Sequence, residues 1–115
     1  MEDKIKTLLE NATVGTGIKV LTDALPNIFP SITFHFYGES AALYGKGKAT
    51  EETVNCQIDL WYKVKIPSIS TVKQNIKSAI ISDNHFTHPS ITTSYETSTK
   101  IYHTYFDFEA LIHGD

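Results

Sequence analysis

The chain has 115 residues, of which 41% are hydrophobic, 11% aromatic and 20% charged, the make-up of one folded domain with a single modest core. Its net charge of −3 excludes nucleic-acid binding through general basicity. The lone cysteine, Cys56, excludes an internal disulfide, and no apolar run approaches the ~18 residues of a membrane span, so no membrane partner is expected.

The N-terminus opens on Met1, Glu2, Asp3 and Lys4, acidic and without an apolar stretch behind it, so no secretory signal is expected. Synthesis in a reducing cytoplasm follows as the expectation. Ile5, Leu8, Leu9 and Ala12 recur at helical spacing, with Glu2 and Asp3 at the positive end of the helix dipole. Gly15 and Gly17 stop this helix. Ile18, Val20 and Leu21 then predict a short edge strand. Leu25, Ile28 and Phe29, set between Pro26 and Pro30, predict a rigid extended lead-in, because two close prolines exclude a regular central strand.

The core of the sequence is a strand, a long connection and a second strand. Ile32, Phe34 and Phe36 alternate with Thr33, His35 and Tyr37, the period of a strand with one buried face. Val54, Cys56, Ile58, Leu60 and Tyr62 alternate in the same way with Asn55, Gln57, Asp59, Trp61 and Lys63. Residues 38–52 lack such a period and are too many for a two-residue turn, so a long loop is expected there. Ser68 or Ser70 is suited to N-cap a second helix, whose apolar stripe is Ile69, Val72, Ile76, Ala79 and Ile80, ending at Asp83 and Asn84. A closing hairpin follows. Ile91, Thr93 and Tyr95 alternate with Thr92, Ser94 and Glu96, a turn falls near Ser98, and a last strand carries Tyr102, Phe106 and Phe108 against the core. The expected fold is one α+β domain over residues 1–115. It comprises a mostly antiparallel sheet of four to five strands flanked by two helices, in the order α-β-β-β-α-β-β.

Candidate chemistry is sparse. His85 and His88 lie close enough to share a metal, but no third ligand is near, so no metal site is expected. Cys56 lies on an apolar strand face, where burial raises a thiol's pKa and makes it a core residue rather than a nucleophile. His35 would sit beside Asp59 if their strands pair in a suitable register, the one arrangement that suggests a pocket for a small ligand or an enzymatic base. His103 and Asp107 share a strand face but stand about 13 Å apart. Gly45, Lys46, Gly47 and Lys48 lack the Ser/Thr and the following helix of a phosphate loop. No catalytic residue and no cofactor is therefore expected. Leu43, Tyr44, Lys46 and Lys48 in the loop, and Trp61 on the second strand, are the candidate partner contacts, since aromatic residues on a solvent-facing strand side favour protein interfaces. Trp61 and Tyr37 would lose that role if a helix covered their face.

The succession of elements carries a resemblance. It lies in the N-terminal helix, the proline-led strand Phe29-Pro30-Ser31-Ile32-Thr33-Phe34, and Glu51-Glu52 ahead of the strand Gln57-Ile58-Asp59-Leu60-Trp61. The second helix and the hairpin with Tyr95-Glu96 complete it. This pattern resembles the tail-terminator (tail-completion, head–tail joining) proteins of long-tailed bacteriophages, prophages and phage-tail-like particles. The resemblance implies a non-enzymatic structural protein without cofactor that assembles as a ring, usually a hexamer. Such a ring caps the tail-tube protein, ends tube polymerisation and offers the surface for a head–tail connector or stopper protein, with DNA only passing through the lumen. It implies residence in the host cytoplasm during assembly and then in the neck region of the virion tail. Mild acidity suits a pore that DNA must traverse without sticking. A different head–tail junction or minor tail component of the same fold is the nearest alternative.

Overall fold

The computed structural model describes residues 2–21, 29–45, 48–63 and 67–113, with 39–45, 48–52 and 112–113 described through their backbone. The elements are α1 (Glu2–Ala12), β1 (Lys19–Leu21), β2 (Ser31–Gly45), β3 (Lys48–Tyr62), α2 (Pro67–Ser82), β4 (Ser90–Glu96) and β5 (Ile101–His113). This is the expected α+β order. The lead-in through Leu25, Pro26 and Ile28 lies outside the described residues; Phe29 joins Pro30 through a cis peptide bond.

Helix α1 forms because Ile5, Leu9 and Ala12 fall on one side and are buried, while Glu2 and Asp3 occupy its first turn. It stops where the Thr13 hydroxyl donates to the Leu9 carbonyl at 2.9 Å and Gly15 and Gly17 turn left-handed at φ +77° and +75°. Asn75 of α2 donates from Nδ2 to the Ala12 carbonyl at 3.2 Å, which satisfies an acceptor that the helix leaves open. Helix α2 begins at Pro67, so Ser68 and Ser70 lie inside its first turn and do not cap it. Proline suits that place, since its missing N–H is one the first turn leaves unbonded anyway. Ile69, Val72, Ile76 and Ile80 of α2 are buried, as the helical period predicts.

The sheet order is β1-β2-β3-β5-β4. Strand β1 runs parallel to β2, and the other pairs are antiparallel. Ile32, Phe34, Val54, Cys56, Ile58, Leu60, Tyr62, Phe106, Phe108 and Ala110 join the buried residues of both helices in one cluster. Both helices therefore cover the same face of the sheet. Each fully buried aliphatic or aromatic side chain contributes about 1.5–3 kcal/mol of hydrophobic stabilisation, which is why β3, buried at Val54, Cys56, Ile58, Leu60 and Tyr62, anchors the sheet. On the helix side, Tyr62 stacks on Tyr102 at 5.2 Å between centroids, and Tyr95 meets Tyr102 at 4.5 Å with the rings tilted by 44°, continuing the cluster outward. Thr104 shares hydroxyl bonds with Tyr62 at 3.1 Å and Thr93 at 2.8 Å. Residues 85–87 run beside β5 beyond the end of β4. There the Leu111 N–H donates to the His85 carbonyl at 2.6 Å and the Thr87 N–H to the Glu109 carbonyl at 2.9 Å.

One expectation fails. Residues 38–52 are not a loop: β2 continues to Gly45 and β3 resumes at Lys48, a hairpin whose strands stay paired to Gly45↔Lys48. The register slips between Tyr37 and Glu39, between Ala41 and Leu43, and again between Leu43 and Tyr44. Each slip breaks the period of two, and a strand without that period reads as loop. Gly38 makes the first slip with φ +63°. A Cβ there would meet Asn55 Nδ2 at 3.1 Å, but that amide can shift, so the left-handed backbone carries most of the cost. Gly38→Ala should lower stability by about 1–2 kcal/mol, read as an earlier urea midpoint with unchanged slope.

Candidate interaction surface

The face of the sheet that the helices leave open is built from the second half of each alternation. Strand β2 supplies Thr33, His35 and Tyr37, β3 supplies Asn55, Gln57, Asp59 and Trp61, and β5 supplies His103, Tyr105 and Asp107. Asp59 lies at its centre and is 4% exposed. Its Oδ1 accepts from Gln57 Nε2 at 2.7 Å and bonds His103 Nε2 at 2.6 Å. His35 Nδ1 stands 3.5 Å from Oδ2. A buried carboxylate is tolerated only when such partners replace its lost water.

Around this centre the aromatic side chains are fixed in turn. The Trp61 indole stacks on the His103 ring at 3.9 Å between centroids and 7° between planes, and its Nε1 donates to Thr33 Oγ1 at 2.9 Å. Tyr37, 45% exposed, donates from its hydroxyl to Asp107 Oδ1 at 3.0 Å, and that carboxylate raises the pKa of the phenol. Beside Trp61 opens a cavity of about 400 Å³. Phe29, Trp61, His103 and Ile101 provide its apolar and aromatic lining, and Ser94, Glu96 and Thr99 its polar residues. Ser98 Oγ donates to Glu96 Oε1 at 3.1 Å, and Lys63 Nζ sits 4.8 Å from the centre of the Phe29 ring.

The register therefore does bring His35 to Asp59, but His103 is the closer partner. That pairing was out of reach of the sequence, where His103 could be compared only with Asp107 on its own strand. The sign that finds it is the β3–β5 register, which sets Trp61 opposite His103 and Asp59 opposite Tyr105. Ser94 stands opposite His103 in the β4–β5 register, yet among the described residues no hydroxyl bonds either imidazole. The arrangement holds polar and aromatic groups on a flat strand surface.

Of the remaining candidates, Leu43, Tyr44 and Lys48 lie in the strands of the hairpin, and Lys46 falls outside the described residues. Trp61 is near the opposite end of β3 from Lys48, roughly 40 Å away at the rise of a strand, so one copy does not bring these contacts together. His85 bonds Asp83 at 3.0 Å and Lys4 Nζ at 3.3 Å. Burial pushes the Asp83 carboxyl up, but the His85 N–H, Lys4 and the His85 ring together hold it below its ordinary value. Cys56 is fully buried, and burial, with Asp59 and Asp107 behind it, pushes its thiol up to about 12. Native protein at pH 8 should resist alkylation for hours, and urea should expose one reactive thiol.

A virion chain shares this fold. It belongs to a structure described as the virion of a native gene transfer agent (GTA) particle, and it superposes with a TM-score of 0.58 at 12% identity. The likeness covers 92% of this chain and 84% of that one. No protein-family model and no curated protein matches the sequence. At this identity the likeness establishes the fold.

Proposed function

We propose that this chain is a structural protein of a phage-like particle, and within that class a tail terminator. It would form a ring, usually of six copies, that sits on the last tail-tube ring, halts tube growth and presents the head-joining surface. The observation that carries the reading is the shared fold with a GTA virion chain over nearly the whole length. The sequence pattern, with its proline-led strand and its strand ending in Asp59, Leu60 and Trp61, supports the narrower role.

The mechanism asks for no chemistry. A ring needs two different complementary surfaces on each copy, and capping needs a third that fits the tube but offers no further site for addition. The sheet has two different edges, and the open face and the hairpin supply further surface. Light scattering followed by negative-stain imaging tests the ring, and tail-tube polymerisation with and without the protein tests the cap. Closed rings that shorten tubes to a defined length are the expected result. A protein that binds head connectors and leaves tube growth unchanged would instead be another junction component.

A further inference from the structure

We propose that copies of this chain join by β-sheet extension, the outer edge of β4 in one copy pairing with the outer edge of β2, residues 34–45, in the next. This rests on the ring reading above and names the surfaces that would form it.

Three observations converge. First, β4 ends the sheet and all seven of its residues are exposed. Sheet edges are ordinarily guarded by lysine, proline, bulges or a covering element, because a bare edge pairs with any strand that reaches it. Strand β4 reads Ser-Ile-Thr-Thr-Ser-Tyr-Glu, pairs with β5 without a slip, and leaves Ile91 38% and Tyr95 45% exposed. Its one charge, Glu96, stands at the end. Secondly, β1 covers β2 only at Ser31, Ile32 and Thr33. From residue 34 to 45 the outer side of β2 has no strand beside it among the described residues, a stretch longer than β4. Among the described residues, one chain thus carries two edges with no strand beside them, and these cannot pair with each other because β3 and β5 lie between them.

Thirdly, the chemistry beside the edges matches. A groove of about 280 Å³ lies between β4 and α2, floored by Ile91 and walled by Ser70, Lys73, Gln74 and Lys77. On β2, Phe34 and Phe36 pair with Ile58 and Cys56 of the helix-side face, and of the two Phe36 is only half-buried. A neighbour's β2 therefore brings the half-buried Phe36 of its edge towards a groove whose floor is apolar. Pairing β4 with β4 would instead bring Lys73 and Lys77 of both copies together, a like-charge contact that costs affinity. The contact is heterologous, so it propagates and closes into a ring when the rotation per copy permits.

Cysteine cross-linking on assembled protein tests this, with buried Cys56 as a silent background. Thr92→Cys and Ser94→Cys mark β4, and His35→Cys and Tyr37→Cys mark β2; all four positions lie on the open face. Under mild oxidation, disulfide-linked dimers should appear when a β4 variant is mixed with a β2 variant, and not within either alone. Ile91→Lys, which places a charge on the bare edge at an exposed position, should weaken assembly at least tenfold and leave the melting temperature unchanged. Self-linking of the β4 variants, or rings that form without any mixed cross-link, would overturn the edge pairing and leave the ring reading intact. A chain that stays monomeric, alone and on tail tubes, would overturn both.

Discussion

Asp59→Ala is expected to cost about 1–3 kcal/mol of folding stability, the penalty for leaving buried hydrogen-bond donors without their acceptor. Its carboxylate is almost fully buried and answers two donors within 2.7 Å, the Gln57 amide and the His103 imidazole. Removing it leaves both groups without their acceptor, and leaves the Trp61–His103 stack without the bond that fixes the imidazole plane. Asp59→Asn should cost less, since the amide keeps one acceptor oxygen. His35→Ala should fall within about 0.5 kcal/mol of the parent, because the His35 side chain is 53% exposed and its contact with Asp59 is 3.5 Å. Urea unfolding followed by fluorescence of Trp61, the single tryptophan, measures all three. A double-mutant cycle between Asp59 and His103 should return a coupling of about 1–3 kcal/mol. Equal losses for His35→Ala and His103→Ala would refute this ranking. Ligand binding lost in His35→Ala with folding intact would favour a pocket over an assembly surface.

Replacing residues 41–48 by a short Gly-Ser linker should have the opposite profile, a folded domain that no longer assembles. Strand β5 reaches along β3 only as far as Glu51, so the ribbon beyond it is two-stranded. A two-stranded ribbon adds little stability by itself. The melting temperature should move by a few degrees at most, while ring mass and tube capping are lost together. The segment holds Leu43, Tyr44, Lys46 and Lys48, and it takes away part of the β2 edge. Normal capping by the shortened protein would show that the hairpin makes no assembly contact.

The shape of the molecule explains why this hairpin is exposed to such a test. The protein extends 52 Å along its long axis, while a helix of the length of α2 covers about 24 Å. The sheet is therefore longer than α2.

Much of the chain is legible in its local sequence pattern. The periods of 3.6 and 2 are local, and they placed both helices, the buried faces of β2, β3 and β5, Tyr37 and Trp61 on the opposite face (Tyr37 exposed, Trp61 half-buried against His103), and Cys56 in the core. They also showed the turn before β5, where Lys100 adopts φ 59°. What the periods could not carry is whatever depends on a partner strand far away in the chain. The slips at Gly38 and near Leu43 erase the alternation, so a paired hairpin looked like a loop. The bond between His103 and Asp59 joins residues 44 positions apart, and only the β3–β5 register creates it. The parallel placement of β1 and the single face chosen by both helices are likewise products of long-range pairing. Local sequence determined which residues are strand, helix and core; tertiary structure alone decided which strands are neighbours, and hence which surfaces remain for another copy.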